Sequence, residues 1–137
     1  MISFLVIETG LPQEGGRNQH SILWENTLLD VFFDSGHIVC NAPMLRYETK
    51  PSGDFLLSSA LDMEAEALSG GIDYIVFAHL DYSQGSPTPG EISFLIYRVS
   101  GRVKVLERRI TGRTYRSTGD ETDDMKLIVR ELVPYFN

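Results

Sequence analysis

Asp73–Tyr82 reads DYIVFAHLDY. It is the most apolar run of the chain, and from Tyr74 to Ala78 it does not alternate. An unbroken β-branched and aromatic segment of this length suits a strand covered on both faces. It therefore predicts an interior strand with helices on either side, and the neighbouring segments follow from that placement. Upstream, Leu57, Leu61, Ala65 and Leu68 recur at helical spacing, with Asp62, Glu64 and Glu66 between them and Gly70-Gly71 as the stop. Downstream, Ser83–Gly90 holds Pro87, Pro89, Gly85 and Gly90 and reads as a loop. Glu91–Val99 and Val103–Thr114 then read as two strands joined across Ser100-Gly101-Arg102, a hairpin signal. Along the second of these, alternation sets Val103, Val105 and Glu107 against Lys104, Leu106 and Arg108.

Further out, Ile2–Glu8 is a buried strand by composition, followed by a Pro/Gly loop over Leu11–Gln19. From His20 to Ser35, Trp24, Leu28, Val31 and Phe32 mark a helical stripe ended by Gly36. His37–Cys40 opens a second strand that continues through Ala42, Met44 and Leu45 and is bent or ended near Pro43. Thr49–Asp54 is a turn region. At the other end Met125, Ile128, Val129, Leu132, Val133 and Phe136 share one helical face. Asp120, Glu121, Asp123 and Asp124 crowd that helix's first turn, where carboxylates oppose the helix dipole. Pro134 should end it. The order is β-α-β-α-β-β-β-α, an α/β (α+β) domain with a mixed sheet of about five strands and helices packed on it. The two β-α-β steps demand right-handed crossovers.

The 137 residues amount to one domain, 1–137, with 42% hydrophobic and 23% charged residues. One Cys, Cys40, excludes a disulfide framework and a Cys-based zinc cluster. The net charge of −7 repels nucleic acid and anionic membrane. No stretch approaches the ~18–20 apolar residues of a membrane span. Ile2–Ile7 is too short for a signal-peptide core and no basic residue precedes it. The expected location is therefore the cytoplasm, or the periplasm or envelope if an export signal lies outside these residues.

Chemistry-bearing motifs are sparse. No dinucleotide or P-loop glycine pattern occurs, and no GxSxG elbow. His20, His37 and His79 fall on separate elements without ligand spacing, and His79, in the interior strand, reads as a hydrogen-bonded core residue. Cys40 lies in an apolar segment, where a thiol is inert. No cofactor or metal is expected. The one pairing that stands out is Glu8 with Asp81. If their strands are parallel neighbours, both carboxylates end at the same side of the sheet, where open α/β sheets bind ligands. That gives one alternative, a small-molecule or nucleotide-binding protein, or an enzyme, with its site there.

Charge is unevenly spread. Seven of the twelve cations lie between Arg98 and Arg116: Arg98, Arg102, Lys104, Arg108, Arg109, Arg113 and Arg116, opposed there only by Glu107. The plain reading is a charged edge strand that resists edge-to-edge pairing. Next come a protein partner or a second copy of the chain held at Arg102, Lys104, Arg108, Arg109 and Arg113. RNA binding comes last, since only Tyr97 and Tyr115 offer stacking surfaces.

The passage ALSGGIDYIVFAHLDY, Ala67–Tyr82, with the hairpin Ile92–Glu107 and the closing amphipathic helix, resembles a group of bacterial envelope proteins. These are the amino-terminal domain of TolB, the curli-secretion lipoprotein CsgG and the penicillin-binding-protein activator LpoB. Gly71, Asp73, Tyr74 and Gly101 carry the likeness, in structural positions. The resemblance implies a non-enzymatic protein-interaction module of the cell envelope with a protein partner, and no catalytic residue is carried over.

Overall fold

A computed structural model describes residues 1–136. Its elements are β1 (Ile2–Thr9), α1 (Gln19–Asp34), β2 (Val39–Asn41), β3 (Leu45–Tyr47), α2 (Phe55–Ser69), β4 (Tyr74–Asp81), β5 (Glu91–Arg98), β6 (Val103–Thr111) and α3 (Thr118–Arg130). A 3-10 turn follows over Val133–Phe136. They form one mixed sheet in the order β2-β1-β4-β5-β6, with β3 also paired to β1. β1 runs parallel to β2, β3 and β4, whereas β4–β5 and β5–β6 are antiparallel. The Asp73–Tyr82 segment thus supplies the middle strand, as its lack of alternation requires.

Helices cover both faces. α1, α3 and the final turn pack on one, where Phe4, Trp24, Leu28, Phe32, Val76 and Phe94 are among the buried residues. Phe32 meets Phe4 at 5.2 Å and Phe136 at 4.9 Å between ring centroids. α2 alone packs on the other face, over a smaller cluster built on Leu5, Ile7, Phe77 and Leu95. Each helix starts on a side-chain cap that accepts a backbone N–H: Asn18 from His20, Asp54 from Leu57 and Ser117 from Asp120.

Three departures from the sequence reading have local causes. The expected second strand is two strands. β2 pairs with Ile2–Phe4 and β3 with Ile7–Thr9, and the Ala42–Met44 link holding Pro43 bridges them, because proline has no N–H to give the ladder. The sheet therefore has six strands, the mixed sheet with packed helices that the sequence predicts, and His37 and Ile38 precede β2. Second, α3 ends at Arg130, so Leu132 and Phe136 reach the core from the segment and 3-10 turn that follow, not from a continued helix. The residue before Pro134 resists the α conformation. Third, the β5–β6 register slips: Ile96 faces Leu106 and Tyr97 faces Lys104, leaving Val105 without a partner. This bulge moves Lys104 to the same side as Glu107, and the two pair at 2.9 Å. Strict alternation had put them on opposite sides. β6 also stops at Thr111, short of Thr114. The hairpin turn is as read, with Gly101 at φ 82° and Arg102 at φ 55°, both left-handed.

Candidate functional site

The parallel pairing of β1 and β4 brings Glu8 opposite Leu80 and Thr9 opposite Asp81. Glu8 and Asp81 therefore end on the same side of the sheet, as expected for parallel neighbours. They do not converge. Partners in register point to one face and successive residues to opposite faces, so Glu8 lies on the α1 side with Leu80 and Tyr82. Asp81 lies on the α2 side with His79. The sheet itself separates the two carboxylates, and they form no acid–base pair.

On the α1 side a buried polar network has formed around Glu8, which is 2% exposed. Arg46, on β3, donates from Nε to Glu8 Oε1 at 3.0 Å. The rest of its guanidinium donates to the carbonyls of Pro12 (2.9 Å) and Gly16 (3.0 Å), which pins the loop after β1. Ser21, in the first turn of α1, donates to Glu8 Oε2 at 2.6 Å and lies 2.7 Å from the Tyr82 hydroxyl. Ser21's proton is committed to the carboxylate, so Tyr82's is divided between Ser21 and Asn18 Oδ1, 3.0 Å away. Burial holds the Tyr82 phenol well above its ordinary pKa against the opposing Ser21 hydrogen bond, with the Glu8 and Glu121 charges adding to the rise.

One turn further along α1 is Glu25, 5% exposed. Arg17 donates to its Oε1 at 2.9 Å, and Oε2 is buried with no hydrogen-bond partner. Glu8, Arg17, Glu25, Asn41, Met44 and Arg46 line a cleft of about 390 Å³ here. Nearby, His20 Nδ1 and Glu121 Oε1, 2.7 Å apart, tie α1 to α3.

On the α2 side His79 is buried, its Nε2 2.8 Å from the Thr9 hydroxyl and its ring edge-on to Phe55 at 4.9 Å. This is the hydrogen-bonded core histidine the sequence suggests. Burial pushes its pKa down to about 4; Asp81 opposes the shift and Lys50 and Arg109 add to it. The Asp81 carboxyl is raised by burial, but the hydrogen bonds from Ser83 outweigh this and leave it below its ordinary value. A second, mainly apolar cleft of about 460 Å³ opens on this face between α2 and the β2 margin. It is lined by Leu5, Cys40, Leu45, Met63, Ala67 and Ile72, among others.

The arginine-rich hairpin is not one stripe. Arg102 pairs with Glu64 on α2 at 2.9 Å, Arg109 with Glu91 at 3.1 Å and Arg113 with Asp124 on α3 at 3.2 Å. Arg108 meets Glu131 at 3.5 Å on the α3 side. Because of the bulge, Lys104 and Arg109 face α2 while Arg108 faces α3. The five residues singled out by sequence are dispersed over both faces, each beside a carboxylate.

Sequence reasoning found Glu8 and missed Ser21, Glu25, Arg17 and Arg46. A signal for Glu25 exists: Ser21, Glu25, Leu28 and Phe32 continue one helical stripe, so a carboxylate interrupts an apolar face. Among the described residues no group of three or more His, Cys, Asp or Glu could hold a metal ion. Among them, too, no helix is long and apolar enough to cross a membrane.

No family model matches the chain, and no curated protein matches it. Solved structures do. A PelC dodecamer from Paraburkholderia phytofirmans is similar at 13% identity and a TM-score of 0.51, over 98% of this chain and 86% of that one. The lipoprotein GNA1162 from Neisseria meningitidis is similar at 10% identity and 0.50, over 98% and 99%. TolB from Acinetobacter baumannii aligns at 10% identity over 95% of this chain and 26% of its own, with a TM-score of 0.48. At these identities the PelC and GNA1162 matches show a shared fold.

Proposed function

We propose that this chain is a non-enzymatic interaction module of the bacterial cell envelope that binds protein, and that its first partner is another copy of itself. The apolar cleft beside β2 and β3 carries this reading. The α2 face has one helix over six strands, so the margin at Cys40 and Leu45, beyond Met63 and Ala67 of α2, is left open, and Leu45 at the rim is 40% exposed. An open apolar cleft of this kind marks an interaction site. The copy-to-copy assignment draws on PelC, which has this fold and is a dodecamer. The envelope setting draws on GNA1162, a lipoprotein of the same fold. CsgG and LpoB enter only through the motif likeness at Ala67–Tyr82.

In a head-to-tail assembly one end of the sheet meets the opposite end of the next copy. The cleft lies at the β2–β3 end, and the hairpin cations at the β6 end. Arg102, Arg109 and Arg113 hold their intramolecular carboxylates while 66–71% exposed, so they are free to exchange them for carboxylates of a neighbour. Arg108 and Lys104 flank them.

Sedimentation and light scattering test the reading from micromolar to millimolar protein. The expected result is a concentration-dependent multimer that Leu45→Asp reduces to a folded monomer and that Arg102→Glu with Arg109→Glu weakens in a salt-dependent way. A wild-type chain that stays monomeric throughout overturns self-assembly. Capture of the same partners from a native lysate by wild type and by Arg108→Glu/Arg109→Glu removes the hairpin from the interface.

A further inference from the structure

We infer that the cleft over Glu25 is a binding site for an ammonium or guanidinium group, and that Arg17 is a built-in competitor occupying it. This inference does not rest on the self-assembly reading. Glu25 is nine-tenths buried, and its Oε2 has no donor from the protein. A buried carboxylate oxygen without a hydrogen bond is costly, and a charge-assisted N–H donor is the strongest remedy. The neighbouring carboxylate cannot share its donors. Both oxygens of Glu8 are engaged, by Arg46 and Ser21, and Arg46 spends its remaining reach on Pro12 and Gly16.

Arg17 is built differently. Its side chain is 55% exposed, it holds Glu25 through one nitrogen, and it hangs from a loop that includes Gly15 and Gly16. Two carboxylates and two guanidiniums leave the cleft neutral. An incoming cation keeps it neutral only by displacing Arg17 into solvent, and the displacement frees Oε1 of the carboxylate whose Oε2 has no donor. The molecule's net charge of −7 favours the approach of a cation and disfavours an anion competing for Arg17. The cleft volume of about 390 Å³ admits a side-chain-sized group.

The test is amide NMR titration of the intact chain with agmatine and cadaverine, and separately with blocked peptides bearing a single Arg or Lys. Saturable shifts at Ser21, Glu25 and Ala42 are expected. Arg17→Ala should bind about tenfold tighter, the loss of one charge-assisted competitor, and Glu25→Gln should abolish binding while its spectrum stays folded. Binding of the free amines assigns the site to small cations, and binding of the peptides alone assigns it to a basic side chain of a protein. No saturable shift in wild type or Arg17→Ala overturns the inference, as does binding that survives Glu25→Gln. If Glu25→Gln does not fold, equal or weaker binding by Arg17→Ala overturns it.

Discussion

Under α1 and α3 the sheet is roofed by two helices and a final turn, with Trp24, Phe32 and Phe136 stacked over β1, β4 and β5. Under α2 a single helix covers a smaller cluster, and an apolar cleft stays open beside it. The two faces also handle buried polarity differently. The well-roofed face buries charges, Glu8, Glu25 and Glu121, each beside a cation or imidazole that reaches in from a strand, loop or helix. The thinly roofed face buries a group that can shed its charge, His79. Where cover is deep, an ionised side chain persists only with a built partner; a titratable group without a strong counter-charge stays neutral.

Deletion in the deep core should show the largest contrast. Phe32→Ala removes contacts to Phe4, His37 and Phe136 and is expected to cost about 3–5 kcal/mol. Leu56→Ala under α2 should sit at the low end of its class, about 2 kcal/mol, because a single helix covers that face and can settle into the space. Chemical denaturation of both variants checks this, and equal losses would erase the distinction between the faces. Arg46→Met strips Glu8 of its counter-charge and frees the loop carbonyls of Pro12 and Gly16, for an expected loss of about 3 kcal/mol. The double variant Arg46→Met/Glu8→Leu should recover part of it, and a double as unstable as the single would mean the network is not what matters there.

The α2 face should announce itself through pH. His79 titrates near 4 when folded and near 6.5 when unfolded, so between those values the unfolded chain holds more protons. The stability it contributes is complete above about pH 6.5 and is lost as pH falls toward about 4, by about 2 kcal/mol once partial solvent access is allowed for. Urea midpoints followed over that window in wild type and His79→Gln read the effect, and a slope that the substitution leaves intact assigns it to other groups. Smallest is the surface pair Arg109–Glu91: Arg109→Ala should change stability by less than about 1 kcal/mol. A larger loss by the same measurement would make the hairpin a structural brace.

Strand and helix identities were legible because each carries its own period. Asp73–Tyr82 declared itself interior by failing to alternate, and α1 by its Trp24–Leu28–Val31–Phe32 stripe. The bulge at Val105 was not legible, since a one-residue slip leaves composition and period unchanged and shows only against the facing strand. The same holds at the site. Glu8 was visible as a strand-end carboxylate, but Arg46 lies 38 residues away and Glu25 reads as one acid among many on a helix.

By itself, then, the sequence determined the kinds of element, the interior place of β4 and, on the condition that β1 and β4 are parallel neighbours, one end of the sheet for Glu8 and Asp81; the structure supplies that pairing. Those readings follow from local propensity and from the handedness of β-α-β connections. Only the tertiary structure decided that the two acids lie on opposite faces, that the hairpin cations are dispersed among carboxylates, and that Glu25 is buried with one oxygen unmet. Such facts depend on register and on which distant side chains arrive at the same place, and neither is encoded in any single stretch of chain.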